Sequence, residues 1–541
     1  MFELTKKGIV LHKDGFEAAN IRLPAFDVDA LVRKTRAAPV WLHVSAGNLF
    51  KAFHAALAQG LVEMGLADVG VVAVVPNDFA SIGAVWSPHD NLFIKTVMKA
   101  DGGLENAVIA SVAELVAADS ADVVAWGRLK EIFRAPSLQM VSLSITEKGY
   151  ELRGLDGAFK VELAVEFDAG LAAPRHAMTK LAALVYGRFM AGALPLALVS
   201  TDNFSHNGDR LKDAMVCVAR EWEKRGFVGS GFIEYLLDRS KLGFPLSMID
   251  KITPNPSPKV ADALKAAGLA GMDIVRRSRG SPLAPFVNTE EAEYLVVEDV
   301  FPNGRPPLEG VGVRFCDRGT VDKVERMKVC TCLNPLHTAL AVFGCLLGYA
   351  SIAEEMRDGD LAALVRRLAE REGLPVVVDP LIINPKAFLA EVLEKRLPNP
   401  NIPDAPQRIA ADTSQKLAIR FGETIKLWAA DEALDATSLT LIPLVIAAWC
   451  RYLLALDDEG KPFAPSPDPL LDDLQKALHG IRLGDGAGAK GKLRPILSNV
   501  KVVGVDLYEV GLGDKVEAYF AELIAGPGAV RATLKKHLKH L

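Results

Sequence analysis

Short apolar runs alternating with helix-prone stretches dominate the first half of this chain, and that alternation constrains the fold more than any other feature. Residues 40–44 form a brief apolar run, followed by a turn and the amphipathic stretch 52–65. Residues 69–75 are a β-branched run of the kind found in strands buried on both faces. Residues 107–116 and 140–145 also read as strands, with the helix-prone segment 121–133 between them. A later strand at 196–200 leads into Thr201-Asp202-Asn203. Such a pattern predicts a mostly parallel sheet covered by helices on both faces.

The second half reads differently. Residues 338–357, 361–372, 385–396, 413–429 and 433–455 carry helical periodicity, and strand signals become rare after Val313. The expectation is an α/β N-terminal domain over residues 1–290 and a mainly α-helical C-terminal domain over 291–541, with the boundary inside 280–300. Pro- or Gly-rich segments 397–406 and 484–492 read as surface connections. The apolar runs 339–350 and 441–450 fall short of the roughly 20 residues that a membrane span needs, so they read as buried core helices. Gly344 and Gly348 then mark close helix packing. The C-terminal HLKHL reads as the end of a packed helix.

A net charge of -5 over 541 residues, without blocks of like charge, argues against a nucleic-acid surface or a disordered acidic tail. No apolar stretch follows the first lysines, so no secretory signal is read there. Six cysteines are few, and Cys330 and Cys332 lack the spacing of a zinc site. The expectation is a cytoplasmic protein with free thiols, no metal, no membrane and no nucleic-acid partner. The oligomeric state is left open.

A dinucleotide-binding turn needs glycines so that backbone amides can approach a pyrophosphate. After residues 40–44 the chain offers Ser45-Ala46-Gly47-Asn48-Leu49-Phe50-Lys51, in which Gly47 alone survives of GxGxxG. Its place between two buried strands makes Ser45 to Leu49 a candidate cofactor turn, with Asn48 and Lys51 in reach of a phosphate or nicotinamide. At the end of the next strand Asp78 stands slightly late as the ribose-binding carboxylate. No nearby arginine suits a 2′-phosphate, and the choice between NAD and NADP stays open. Thr146 and Glu147 are candidates for the nicotinamide end.

Hydride transfer from an alcohol needs a proton acceptor and a group that polarises the oxygen. A zinc ligand set is absent, and none of the eight tyrosines has a lysine four residues on, which removes the Tyr-x3-Lys solution. A lysine base without metal remains. Five segments in order, SLSITEKGY, STDNFSHNGDRLK, FPLSMIDKITP, EDVFPNGRPPLEGVGV and ERMKVCTCLNPLHTAL, resemble the mannitol dehydrogenase family of long-chain polyol and hexuronate dehydrogenases. The resemblance spans about residues 40–430. It implies a Rossmann-type dinucleotide-binding domain, a helical C-terminal domain and a small-molecule polyol or sugar-acid substrate. Its Lys…Asn-x-x-His signature falls on Lys328, Asn334 and His337. It implies that Lys328 removes the alcohol proton while Asn203, Asn334 and His337 hydrogen-bond the substrate oxygen. A lysine base must be partly desolvated, because its free pKa of roughly 10.4 is too high for neutral pH. Asp250 is a further substrate-site candidate.

The family places its asparagine five residues after the lysine; here the interval is six. On an unbroken helix, at about 100° per residue, Lys328 and His337 would face opposite ways. A break or bulge near residues 333–335 is therefore expected, with Asn334 as helix cap and Pro335 in the first turn. Arg408 and Lys416 match an Arg-x7-Lys pattern of the family's substrate pocket. Arg420 shares a helical face with Lys416 and adds a cation that can grip a carboxylate. The SAGNLF, ADTSQKLAIRF and CLNPLHTA segments resemble the hexuronate reductases more than the mannitol enzymes. D-fructuronate/D-mannonate or tagaturonate/altronate is thus the expected substrate pair. Mannitol/fructose is the alternative, and a non-catalytic nucleotide sensor the reading from another class.

Overall fold

The computed structural model describes residues 1–99, 101–154, 156–277 and 280–539. Six strands form one sheet: β1 (Trp41–Val44), β2 (Val71–Val75), β3 (Val112–Ala117), β4 (Met140–Leu143), β5 (Leu196–Ser200) and β6 (Leu242–Gly243). Their spatial order is β3-β2-β1-β4-β5-β6 and every pairing is parallel. This is the doubly wound Rossmann order, in which the direction of winding reverses between β1 and β4. Strand side chains alternate between two cores, as a period of two requires. Leu42, Val72, Val74, Val141 and Leu198 face one core. Trp41, Val71, Ala73, Met140 and Val199 face the other. Helix Val123–Arg134 shows how the covering layer forms. Asp122 caps it by accepting from the amides of Val124 and Ala125, and Trp126, Leu129, Ile132 and Phe133 supply its buried stripe.

Two expectations need correction in this half. Residues 107–116 are not one strand: Leu104–Ile109 and β3 lie in different sheets. The chain breaks at Ala110-Ser111, where the Ser111 carbonyl accepts from the Val71 amide at 3.0 Å. Gly70 is required beside it, since a Cβ there would sit 2.2 Å from the Ser111 oxygen. The stretch 280–300, where the boundary was expected, carries two strands. Phe286–Glu290 pairs with Phe93–Met98, and Tyr294–Glu298 pairs with Ser247–Asp250 and Arg314–Cys316. These ladders carry the first compact unit to Val321; the second begins at Asp322, some way beyond the expected boundary at 290/291.

The second unit is helical. Helix Leu441–Tyr452 is buried at every position, and Asn334–Leu347 is nearly so. The helical run Arg318–Leu347 has the length and composition of a membrane span, but 83% of its apolar window is buried in the protein. The two glycines of GxxxG do different work. A Cβ on Gly344 would meet Glu355 Oε1 at 2.1 Å, whereas Gly348 ends the helix with a left-handed φ of 79°. Residues 397–406 are not a surface connection: Leu397, Asn399, Ile402, Asp404 and Pro406 are buried. Residues 413–429 are not one α-helix but a 3-10 turn, Thr413–Gln415, a π-turn, Ala418–Gly422, and helix Glu423–Ala430. The chain's last helix is Ala529–Lys539; the final two residues of HLKHL lie outside the described residues.

Candidate active site

In the first unit the candidate site gathers at the carboxyl ends of β1, β2, β4 and β5, where a doubly wound sheet binds its ligand. Ser45 leaves β1 with a φ of 155°, a value that the glycine expected there would adopt more readily. Its hydroxyl accepts from the Gly47 amide at 3.3 Å. Asn48 follows with its Oδ1 buried and without a hydrogen-bond partner among the described residues. That orphaned acceptor is what a turn built to receive a donor from a bound cofactor would show. Ala46 is buried beneath the turn and Leu49 packs against the core.

Lys51 does not reach towards a phosphate. Its Nζ donates to the Ala284 carbonyl at 2.6 Å, over the Trp86 ring at 4.4 Å. Burial, reinforced by the Arg277 charge, pushes its pKa down to about 7. Nor is Asp78 free of an arginine. Its carboxylate pairs with Arg277 Nη1 at 3.0 Å, across 199 residues of chain, a neighbour invisible to sequence reading.

The β4 and β5 loops are tied together by Asp202. Its carboxylate accepts from the amides of Ile145 (3.0 Å) and Thr146 (2.8 Å) and from the Tyr150 hydroxyl (2.6 Å). Burial raises its pKa above the usual carboxylate range despite these donors, and burial with the adjacent Asp202 raises that of Tyr150. Thr146 has φ 66° and ψ 159°, a region almost confined to glycine that costs about 1–3 kcal/mol. A β-branched residue stays there because Asp202 holds its amide. Thr146, Glu147 and Asn203 are exposed, and Glu147 pairs with Arg210 at 2.7 Å. Asn207 secures the same loop: its Nδ2 donates to the carbonyls of Asp202 (2.9 Å) and Ser247 (3.0 Å). Gly208 lets that contact close, since a Cβ would lie 2.5 Å from the Pro245 oxygen. Asp250 is buried at the end of its strand. The adjacent Lys251 pairs with Glu293 at 2.7 Å.

Asp202→Asn turns an amide towards backbone donors. It is expected to weaken dinucleotide binding at least tenfold, at about 1–3 kcal/mol per buried donor left unsatisfied. Fluorescence titration with the cofactor measures this, and unchanged affinity would remove Asp202 from any positioning role.

In the second unit Lys328 is 3% exposed and sits in a π-turn, Met327–Cys332. The Leu333 amide reaches back five residues to the Lys328 carbonyl at 3.1 Å. Leu333 then leaves helical geometry (φ -131°, ψ -61°). One extra residue in a π-turn offsets the rotation of about 100° that the longer interval adds. The interruption thus starts earlier than expected, and Leu333 rather than Asn334 occupies the cap; Asn334 and Pro335 open the helix.

His337 Nε2 lies 4.0 Å from Asp404 Oδ2. Burial lowers its pKa to about 4; Asp404 opposes the shift, and Arg396, Arg420 and Arg408 add to it. The ring is therefore neutral at pH 7, able to donate one hydrogen bond and accept another. Asp404 also pairs with Arg408. Arg420 Nη1 donates to Thr338 Oγ1 at 2.6 Å and leans on the Asn334 carbonyl at 3.4 Å. Burial lowers its pKa only to about 10, so it remains a cation. Lys416 instead donates to the carbonyls of Ala411 and Ile409, which takes up part of its capacity for substrate.

Residues 40–310 match the Mannitol dehydrogenase Rossmann domain, and residues 320–516 match the Mannitol dehydrogenase C-terminal domain. The chain is 50% identical over 523 residues to D-mannonate oxidoreductase of Thermotoga maritima, covering 96% of each chain. The chain belongs to the mannitol dehydrogenase family. It is 26% identical to polyol:NADP oxidoreductase of Gluconobacter oxydans over 85% of this chain and 88% of that one. Among solved structures it resembles Pseudomonas fluorescens mannitol 2-dehydrogenase in a ternary complex with NAD and D-mannitol (TM-score 0.69, 24% identity, 99% of both chains). It also resembles a D-sorbitol dehydrogenase (TM-score 0.77, 24% identity, 95% and 97% covered). Members of this family are dehydrogenases of the Rossmann type with a helical second domain, the architecture seen here.

Sequence reading missed Asp202, Tyr150, Asp404, Arg396 and Arg277. Asp202 and Tyr150 stood inside two of the recognised segments, so their polar character was a usable signal. Asp404 lay in a Pro-rich stretch, and nothing local distinguished Arg396 or Arg277.

Proposed function

We propose that this protein is an NAD(P)-dependent oxidoreductase that interconverts a keto-hexuronate and its sugar acid without a metal. D-fructuronate and D-mannonate are the preferred pair, with tagaturonate and altronate next. The observation that carries this reading is the 50% identity, over 96% of both chains, to a protein named D-mannonate oxidoreductase. Arg420 supports the acid substrate, being a half-buried guanidinium held beside Asn334 with further N–H donors for a carboxylate. The six unpaired cysteines suit a reducing, cytoplasmic setting.

The turn Ser45 to Leu49, with the orphaned Asn48 oxygen, and Asp78 would hold the dinucleotide. A dinucleotide held there would supply the hydride acceptor, or donor in reverse, for the carbinol carbon. Lys328 takes the hydroxyl proton in the oxidative direction and returns it on reduction. Asn334 and neutral His337 hydrogen-bond the oxygen as charge develops there, with the Asp404 carboxylate 4.0 Å from the imidazole; Asn203 is the third group in this role. Thr146 and Glu147 line the nicotinamide end, and Asp250, Arg408 and Lys416 border the substrate.

Steady-state NADH oxidation with fructuronate against fructose tests the reading. A preference of at least about 100-fold in kcat/KM is expected for the acid, the size of one or two charge-assisted hydrogen bonds. Arg420→Ala should collapse most of that preference by raising KM for fructuronate. Equal efficiency on the two ketoses defeats the carboxylate assignment and favours a mannitol 2-dehydrogenase. Cofactor binding without turnover on either favours a sensor.

A further inference from the structure

β2 ends at Val75, and the following loop Pro76-Asn77-Asp78-Phe79 is where a Rossmann domain meets the adenosine ribose of its cofactor. Two cations flank this loop from distant parts of the first unit. Lys180 donates from Nζ to the Pro76 carbonyl at 2.7 Å and is 7% exposed. Arg277 is fixed at two points, by Nε to the Ser281 carbonyl at 2.7 Å and by Nη1 to Asp78 Oδ2 at 3.0 Å. Asp78 itself is set by its loop, with the amide and hydroxyl of Ser81 both donating to its carbonyl.

A lone carboxylate at this position accepts from the ribose 2′- and 3′-hydroxyls and repels a 2′-phosphate, whereas an arginine there attracts one. This loop carries both groups, already in contact. We propose that Arg277 and Asp78 form a 2′-phosphate site, so that the protein accepts NADP as well as NAD. The inference rests on the dinucleotide reading above. With an unphosphorylated ribose the ion pair stays closed: Asp78 uses its second oxygen for the diol, and Arg277 neutralises the carboxylate. With a 2′-phosphate, Arg277 exchanges one carboxylate oxygen for phosphate oxygens. Asp78 swings aside, as a pair with side chains 22% and 33% exposed can do at little energetic expense. Arg277 keeps its orientation in both states because Ser281 holds Nε. Lys180 adds positive potential but is occupied by Pro76, so the specific contact falls to Arg277.

Calorimetric titration of the enzyme without substrate, using ADP-ribose and 2′-phospho-ADP-ribose as probes, tests this independently of turnover. The wild type should bind both probes within about tenfold of each other. Arg277→Ala should cut the affinity ratio of phosphorylated to unphosphorylated probe by at least tenfold. Arg277→Lys, which keeps the charge and loses the fork, should fall between them. Asp78→Asn should shift the ratio towards the phosphorylated probe. ADP-ribose binding with no detectable 2′-phospho binding, or an Arg277→Ala ratio equal to that of the wild type, overturns the proposal and leaves the dinucleotide reading intact. Failure of both probes to bind overturns both.

Discussion

Replacing Lys328 with methionine will lower kcat about 10²- to 10⁴-fold, the range that a positioned general base contributes. Dinucleotide affinity should stay within about twofold. Methionine retains the length and packing of the lysine stem and removes only the ammonium. The side chain lies in a π-turn at 3% exposure, so a drop confined to kcat reports the proton transfer rather than a collapsed helix. Circular dichroism alongside steady-state kinetics separates the two causes. A loss under tenfold, with the fold intact, would mean that another group moves the proton. His337→Gln serves as the comparison: it keeps a hydrogen bond to substrate oxygen and should cost less than Lys328→Met.

Replacing Glu355 with methionine will stabilise the helical unit at pH 8 and change it far less at pH 5. Both carboxyl oxygens of Glu355 are buried without a hydrogen-bond partner among the described residues. Burial, then the charges of Asp358 and Glu354, push its pKa from the ordinary 4.5 to about 9. The folded chain thus keeps a proton that the unfolded chain gives up above pH 4.5. Wild-type stability should therefore fall as pH rises from about 4.5 to 9. At about 1.4 kcal/mol per pH unit, the accumulated cost at pH 8 is on the order of 5 kcal/mol. Methionine does not titrate and fills a similar volume against Gly344. Urea denaturation of both proteins at pH 5 and pH 8 measures the difference. A variant-minus-wild-type gap that is the same at the two pH values would falsify the assignment of a protonated buried carboxyl.

The local signals in this chain were strong where burial and period agree. β2 and β5 are buried on both faces, so their composition marks them without any neighbour being known. The 107–116 run misled for the same reason: β-branched residues on both sides of Ala110-Ser111 look continuous, and only pairing partners show that the chain changes sheets there. The lysine interval was also informative, because helical phase is a property of spacing alone. It required an interruption between Lys328 and His337, although the π-turn that provides it begins several residues before the expected break. The catalytic candidates were legible through motif and order. Their charged neighbours were not, since Asp404 is brought to His337 from 67 residues away and Arg277 to Asp78 from 199.

By itself the amino-acid order determined a doubly wound domain followed by a helical one, the family, and the residues that carry its signature. Those properties depend on periodicity and local spacing, which a linear chain displays in full. Tertiary structure alone decided that Lys51 turns inward, that Asp202 holds Thr146 in a strained conformation, and that Arg277 meets Asp78. Each of these depends on electrostatics and hydrogen bonding between groups far apart in the chain. The field at a side chain is set by what folding places within a few ångströms of it.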